Sequence, residues 1–328
     1  MSVGTAELTG PDAQKLAYVF PGQGSQYVGM GKALYEASAA ARRVFQQADE
    51  TLGFKLSQLC FEGPAEELED TINAQPAILT VSMACLAAIR EKLESVGSNW
   101  QPPRFVAGHS LGEYTALVAA GALEFSDALR LVRERGRLMK ETGEQNPGGM
   151  AAVIGLDEQV LAEVVQEAQS EGVVALANAN SPGQTVLSGE VAALTRAMEL
   201  AKARGARLVQ RLAVSIASHS PLMQQAAQHF TELVSRLNLR PPQVPLIANI
   251  SAQALTTVED LRTELSEQLT RPVQWTRSVQ AMVAQGVDTF VEIGPKQVLS
   301  GLIKRITPES RPITLTDTEV VRLLTSVE

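Results

Sequence analysis

Residues 105–121 read FVAGHSLGEYTALVAAG, and this stretch decides the fold class. Phe105, Val106 and Ala107 are a short apolar run of the kind that forms a buried strand. Residues 111–120 read as a helix. Between them, Gly108-His109-Ser110-Leu111-Gly112 is a G-x-S-x-G pentapeptide. Strand, tight turn and helix in that order predict a nucleophile elbow, with the Ser110 hydroxyl pushed out above a sheet. Glycines on both sides relieve the crowding. The positive end of the helix dipole and the Leu111 backbone N–H then face the place where an oxyanion would form.

Upstream, residues 16–20 predict the first buried strand, which runs into Pro21-Gly22-Gln23-Gly24-Ser25-Gln26. This loop is not a phosphate cradle, because position 27 is tyrosine and no Gly-Lys-Ser/Thr follows. It reads instead as a turn whose backbone and glutamine approach a substrate closely. Residues 34–51 predict an amphipathic surface helix. Residues 62–70 predict an acidic solvated segment, and residues 77–93 a helix with Pro76 in its first turn. After the elbow, Ser126 is the expected N-cap of a helix running to about Lys140. Most of its arginines read as a solvated face. Arg135 lies three residues from both Val132 and Leu138, so it turns toward the apolar stripe, where an arginine meets a carboxylate of the protein or of a substrate.

Residues 142–149 break the composition. From there the predicted order is strand, helix, strand, strand, helix, strand, the ferredoxin-like βαββαβ plan. The expected architecture is therefore α/β: an α/β-hydrolase-like large domain (16–142 and 213–316) with an inserted ferredoxin-like small domain (143–212) and a cleft between them. Residues 1–15 and 317–328 are expected as tails. Later predicted elements are a helix at 222–237, a buried strand at 245–249, a loop at 268–275, a strand at 290–293 and a closing helix at 297–305.

The chain has 328 residues, 45% of them apolar, and a formal net charge of −8. That composition suits a globular protein with a sizeable core and argues against a general nucleic-acid binder. Cys60 and Cys85 sit among apolar residues and read as buried thiols. Residues 1–14 lack the apolar core of a secretory signal, and no apolar run reads as a membrane span, so a cytoplasmic location is expected. No His/Cys cluster has metal spacing.

A serine nucleophile needs a base. Of the three histidines, His109 adjoins the serine and reads as a packing or supporting residue. His229 falls mid-helix. His219, in a loop before Ser220-Pro221, is the favoured base. No carboxylate is well placed to orient it, which leaves a backbone carbonyl for that task.

Seven motifs in order then resemble the malonyl-CoA:acyl carrier protein transacylases over residues 16–310. They are residues 20–26, 108–112, 135–139 (RGRLM), 178–184 (NANSPGQ), Ser218-His219, Pro272-Val273-Gln274-Trp275 and Glu292-Ile293-Gly294-Pro295. The resemblance implies Ser110 as nucleophile and His219 as base. It implies the Gln23 and Leu111 N–H groups as the oxyanion hole, Arg135 on the malonyl carboxylate and the Gln274 carbonyl orienting His219. It places Asn180 and Gln184 on the cleft and Gln75 behind the site. It implies malonyl-CoA as substrate, no bound cofactor, and an acyl carrier protein bearing phosphopantetheine as partner. No nucleic-acid or membrane partner and a monomer are expected. Leu111 is the malonyl-type residue after the nucleophile, whereas Ala217-Ser218-His219 also matches methylmalonyl-type modular enzymes. A free-standing polyketide-synthase acyltransferase is thus one alternative. A serine thioester hydrolase, with no use for Arg135, is another.

Overall fold

The computed structural model describes residues 13–98 and 102–325. Residues 1–12 of the expected N-terminal tail lie outside it, as do residues 326–328. Among the described residues, ten strands form two sheets. The large sheet contains β1 (Leu16–Phe20), β2 (Phe105–Gly108), β7 (Leu246–Ile247), β8 (Ala254–Leu255), β9 (Thr289–Ile293) and β10 (Arg311–Leu315), in the order β10-β9-β1-β2-β7-β8. All neighbours are parallel except β7 and β8. Both faces are covered, which is why β1 and β2 are continuously apolar. Tyr18, Phe20 and Val106 pack on one side. Ala17, Val19, Phe105 and Ala107 pack on the other, against Trp275, Val279 and Ile303.

The small sheet contains β3 (Gly148–Ile154), β4 (Val174–Ser181), β5 (Gln184–Glu190) and β6 (Leu208–Arg211), ordered β4-β5-β3-β6 and wholly antiparallel. Helices Glu158–Ala168 and Val191–Ala203 supply Leu161, Val164, Leu194 and Ala197 to its core. This is the expected βαββαβ arrangement. β4 is tied to the segment before helix Trp275–Ala284, where Val273 donates its N–H to the Ala177 carbonyl (2.8 Å) and accepts from the Ala179 N–H (2.9 Å).

Several expected boundaries move. The helix placed at 77–93 spans Thr71–Ser95, with Pro76 inside it. Asp70 caps it earlier by accepting the Ile72 N–H (3.0 Å), and burial of the surrounding side chains outweighs the one bond that proline forgoes. The same helix is long and apolar enough to cross a membrane, contrary to the expectation that no segment is, but most of it is buried inside the protein. The helix placed at 34–51 is two, Lys32–Ala37 and Ala39–Leu52, broken at extended Ser38, whose hydroxyl caps the second. Phe45 and Ala48 are buried, so the second helix is not merely a surface one. Within 62–70, residues Ala65–Glu69 form a short helix that buries Leu68. Ser126 does not cap its helix, which runs Phe125–Gln145 with Glu124 at the N-cap.

Residues expected as a C-terminal tail form the helix Asp317–Thr325. Val320 and Leu323 bury against the core, and Asp317 accepts from the Tyr27 hydroxyl (2.8 Å) and the Gly31 N–H (2.6 Å). The helix Val258–Glu267, strand β10 and helix Leu56–Glu62 have no counterpart in the sequence reading.

Candidate active site

The site lies beyond the carboxyl ends of β1, β2, β7 and β9, the usual ligand position on an open parallel sheet. The elbow follows β2. Ser110 has φ +51°, a left-handed conformation that costs a non-glycine residue about 1–3 kcal/mol. The turn closes only because its flanks lack side chains. A Cβ on Gly108 would collide with the Gly112 backbone, and one on Gly112 with the Phe20 carbonyl. A Cβ on Gly22 would strike the His109 carbonyl, so the loop after β1 lies directly against the elbow.

His219, 3% exposed and itself at φ +58°, brings Nε2 to 2.8 Å from Ser110 Oγ. Its Nδ1 lies 2.9 Å from the Gln268 carbonyl and 3.2 Å from the Arg271 carbonyl. Carbonyls only accept, so Nδ1 carries the hydrogen and Nε2 presents its lone pair to the serine hydroxyl. Backbone thus orients the imidazole, but from Gln268 and Arg271. The Gln274 carbonyl implied by the resemblance instead accepts the Ser278 N–H (2.9 Å) at the start of helix Trp275–Ala284. Burial, and then the neighbouring Arg135 charge, push the His219 pKa down to about 3, so the ring is neutral in the free protein.

Arg135 is 1% exposed. Its guanidinium donates to Gln75 Oε1 (2.9 Å), Gln268 Oε1 (2.9 Å) and Ser110 Oγ (3.2 Å) and lies 5.3 Å from the Tyr114 ring centroid. Its Nε is buried without a partner. All of these accepting oxygens are neutral, and among the described residues no carboxylate forms an ion pair with Arg135. The sequence phase that turned Arg135 inward is correct, and the protein-carboxylate half of that expectation is not. Close helix packing delivers it: a Cβ on Gly136 would lie 2.6 Å from the Thr71 carbonyl oxygen.

Gln75, fully buried, gives its amide N–H to Thr71 Oγ1 (2.9 Å), which leaves its oxygen facing Arg135. Thr71 in turn donates to Gln23 Oε1 (2.9 Å), tying the loop after β1 to the same network. Leu111 opens the helix Gly112–Ala119, beside the serine. His109 Nε2 pairs with Asn180 Oδ1 (2.8 Å), joining the elbow to β4. Gln184 is not brought to the centre, for its oxygen accepts from Arg305 (2.5 Å) on helix Leu299–Ile306. Glu292, which opens the Glu-Ile-Gly-Pro motif, accepts the Val298, Leu299 and Ser300 N–H groups (2.7–2.8 Å) and caps that helix. His229 is exposed on the helix Gln224–Ser235.

Sequence reasoning missed Gln268 and Asn249. Gln268 is fully buried and touches everything at once: its carbonyl holds His219, its side-chain oxygen holds Arg135, and its amide donates to the Ser110 carbonyl (3.1 Å). Asn249 Oδ1 accepts the Ser110 N–H (2.7 Å). Neither stands in a periodic pattern, so no local signal marked them.

A serine hydroxyl, a neutral imidazole oriented to deprotonate it and a buried cation beside it together suit acyl transfer from an anionic acyl donor. The family model for the acyl transferase domain matches residues 17–323. The malonyl CoA-acyl carrier protein transacylase of Bacillus subtilis (strain 168) is 48% identical over 310 residues, covering 94% of this chain and 96% of the relative. That of Escherichia coli (strain K12) is 42% identical over 292 residues, covering 89% and 93%. The solved acyl carrier protein S-malonyltransferase of Vibrio cholerae O1 superposes with a TM-score of 0.89 at 40% identity, covering 95% of this chain and all of the other. A malonyl-transacylase solved in complex with a type II polyketide synthase acyl-carrier protein gives a TM-score of 0.89 at 38% identity, covering 94% and 99%.

Proposed function

The chain belongs to the acyl transferase domain family, and from that premise we propose how its residues carry the reaction. The protein transfers a malonyl group from malonyl-CoA to the phosphopantetheine thiol of an acyl carrier protein. Ser110 and His219 act as a dyad. His219 Nε2 takes the hydroxyl proton as Ser110 Oγ bonds to the thioester carbon. The oxyanion is met by the Gln23 and Leu111 N–H groups, while Arg135 holds the malonyl carboxylate. The C–S bond breaks, CoA sulfur recovers the proton from Nε2 and a malonyl-serine ester remains. The carrier's thiol then gives its proton to Nε2, its sulfur attacks the ester, and Ser110 leaves with the proton returned. Two half-reactions through one covalent enzyme give ping-pong kinetics.

The observation that carries this reading is the buried Arg135, held by neutral oxygens against Ser110. An isolated buried cation is costly, and a malonyl carboxylate supplies the missing charge. The same contact cancels the charge that helps depress His219, so the correct substrate makes its base stronger. A hydrolase for neutral acyl groups gains nothing from such a residue. Residues 143–212 carry the small sheet, whose Asn180 reaches His109 beside the nucleophile, and are best treated as a domain inserted into the large one. Mixing enzyme with malonyl-CoA alone tests the reading: about one equivalent of CoA should appear in a burst. Holo carrier protein should then collect the malonyl group. Continuous release of free malonate at the same rate with and without carrier would favour a hydrolase.

A further inference from the structure

Two carboxyls that take no part in the bond changes lie directly under the elbow. Glu113 is wholly buried on the helix after Ser110, and Glu264 is 3% exposed on helix Val258–Glu267. Both accept the same Asn249 backbone N–H, at 2.8 and 2.9 Å. Glu264 Oε1 also accepts the Ile250 N–H (3.0 Å). Glu113 accepts the Asn249 side-chain amide (3.0 Å) and, through its other oxygen, the Gln268 side-chain amide. Among the described residues neither carboxyl forms an ion pair with a lysine or arginine. Two anions cannot share one N–H in a dry site without a cation, so one of them keeps its proton. Burial is the larger cause. It pushes Glu264 up to about 7, and with the Glu264 charge it holds Glu113 well above the carboxylate range.

Amide chemistry sets what this pair controls. Asn249 and Gln268 can each face either way, and Glu113 selects the observed way together with two carbonyls: that of Gly108, which accepts from the Asn249 amide (2.7 Å), and that of Ser110, which accepts from the Gln268 amide (3.1 Å). With their N–H groups on Glu113, Asn249 turns its oxygen to the Ser110 N–H and Gln268 turns its oxygen to Arg135. A flipped Gln268 would point donors at a guanidinium that has only donors.

We propose that Glu113 and Glu264 are positioning residues for malonyl transfer: an acid pair that holds one proton between them and whose acceptor face orients Asn249 toward Ser110 and Gln268 toward Arg135. The proposal rests on Ser110 being the nucleophile and Arg135 the partner of the malonyl carboxylate.

Two isosteric variants separate the pair's members. In Glu264→Gln the amide oxygen still accepts from Asn249 and Ile250, and its N–H replaces the shared proton, so kcat/KM for malonyl-CoA should fall less than in Glu113→Gln. In Glu113→Gln an N–H must oppose Asn249 or Gln268, so the malonyl-to-acetyl ratio of kcat/KM should fall about tenfold. Equal losses in both variants, no loss in either, or an unchanged ratio in Glu113→Gln would overturn the proposal. Should Glu113→Gln fail to fold, infrared spectroscopy decides. The folded parent should show a protonated-carboxyl C=O band at neutral pH that shifts or disappears in Glu264→Gln, where the proton's partner carboxyl is gone. Absence of the band in the parent, or an unshifted band in Glu264→Gln, contradicts the shared proton. Arg135→Ala is run alongside: a ratio insensitive to that change faults the Arg135 assignment, and the infrared arm then judges the acid pair alone.

Discussion

Replacing Arg135 with alanine should lower kcat/KM for malonyl-CoA about ten- to a hundredfold and leave acetyl-CoA level or faster. The guanidinium is buried and pre-aimed, with Gln75 and Gln268 each at 2.9 Å and Ser110 Oγ at 3.2 Å. Little ordering remains to be done when a carboxylate arrives, so the contact should fall in the ordinary range for a hydrogen bond to a charged group. That range is about 1.5–3 kcal/mol, and each 1.4 kcal/mol is roughly tenfold. Acetyl-CoA has no carboxylate to lose. The alanine also removes the Arg135 charge that helps depress His219, which makes the base stronger for either substrate. The assay is the ratio of the two kcat/KM values in variant and parent, with thermal melting as a check on folding. If both substrates slow by one factor, Arg135 is holding the elbow together, and the selectivity argument fails.

His219→Ala should cost roughly 10²–10⁴-fold in transfer rate, the range for losing a general acid-base group, while exposed His229→Ala should be silent. Comparable losses at both positions would refute the choice of base. Because burial and Arg135 place the His219 pKa at about 3, below its usual 6.5, the acid limb of kcat/KM for acetyl-CoA should lie well under 6.5 in the parent. In Arg135→Ala the limb should move up toward the ordinary value, and an inflection near 6.5 in the parent would contradict the reading. Gly108→Ala forces a Cβ into the Gly112 backbone and should cost about 3 kcal/mol or more in a melting experiment. Gly301→Ala meets nothing within 4 Å on helix Leu299–Ile306 and should stabilise by about 0.5–1 kcal/mol, so equal melting points would refute the steric argument.

What could be read from the sequence was what is local. The elbow is five consecutive residues with a strand and a helix attached, and its glycines are required by backbone contact. The inward turn of Arg135 follows from helical phase within seven residues. The βαββαβ unit follows from alternating periods along one continuous segment. What could not be read depends on distant chain. Every residue has a carbonyl, so nothing in the letters separates Gln268 and Arg271 from Gln274 as the partner of His219. Glu113 and Glu264 meet through a single N–H that lies 136 positions from the one and 15 from the other. Pro76 and Ser126 misled because their local preferences, first turn and N-cap, yielded to tertiary burial and to Asp70 and Glu124. Helix Asp317–Thr325 looked peripheral because its partners, Tyr27 and Gly31, lie at the other end of the chain.

The central claim is that the malonyl group rests on Ser110 between the two half-reactions. Enzyme mixed with malonyl-CoA in the absence of carrier protein, quenched in acid and digested, should yield one peptide heavier by a malonyl group, with the added mass on Ser110. Addition of holo carrier protein before the quench should remove that mass and return it on the carrier. A label on another residue, or malonyl-carrier formed with no labelled Ser110 peptide at any time, would contradict the account.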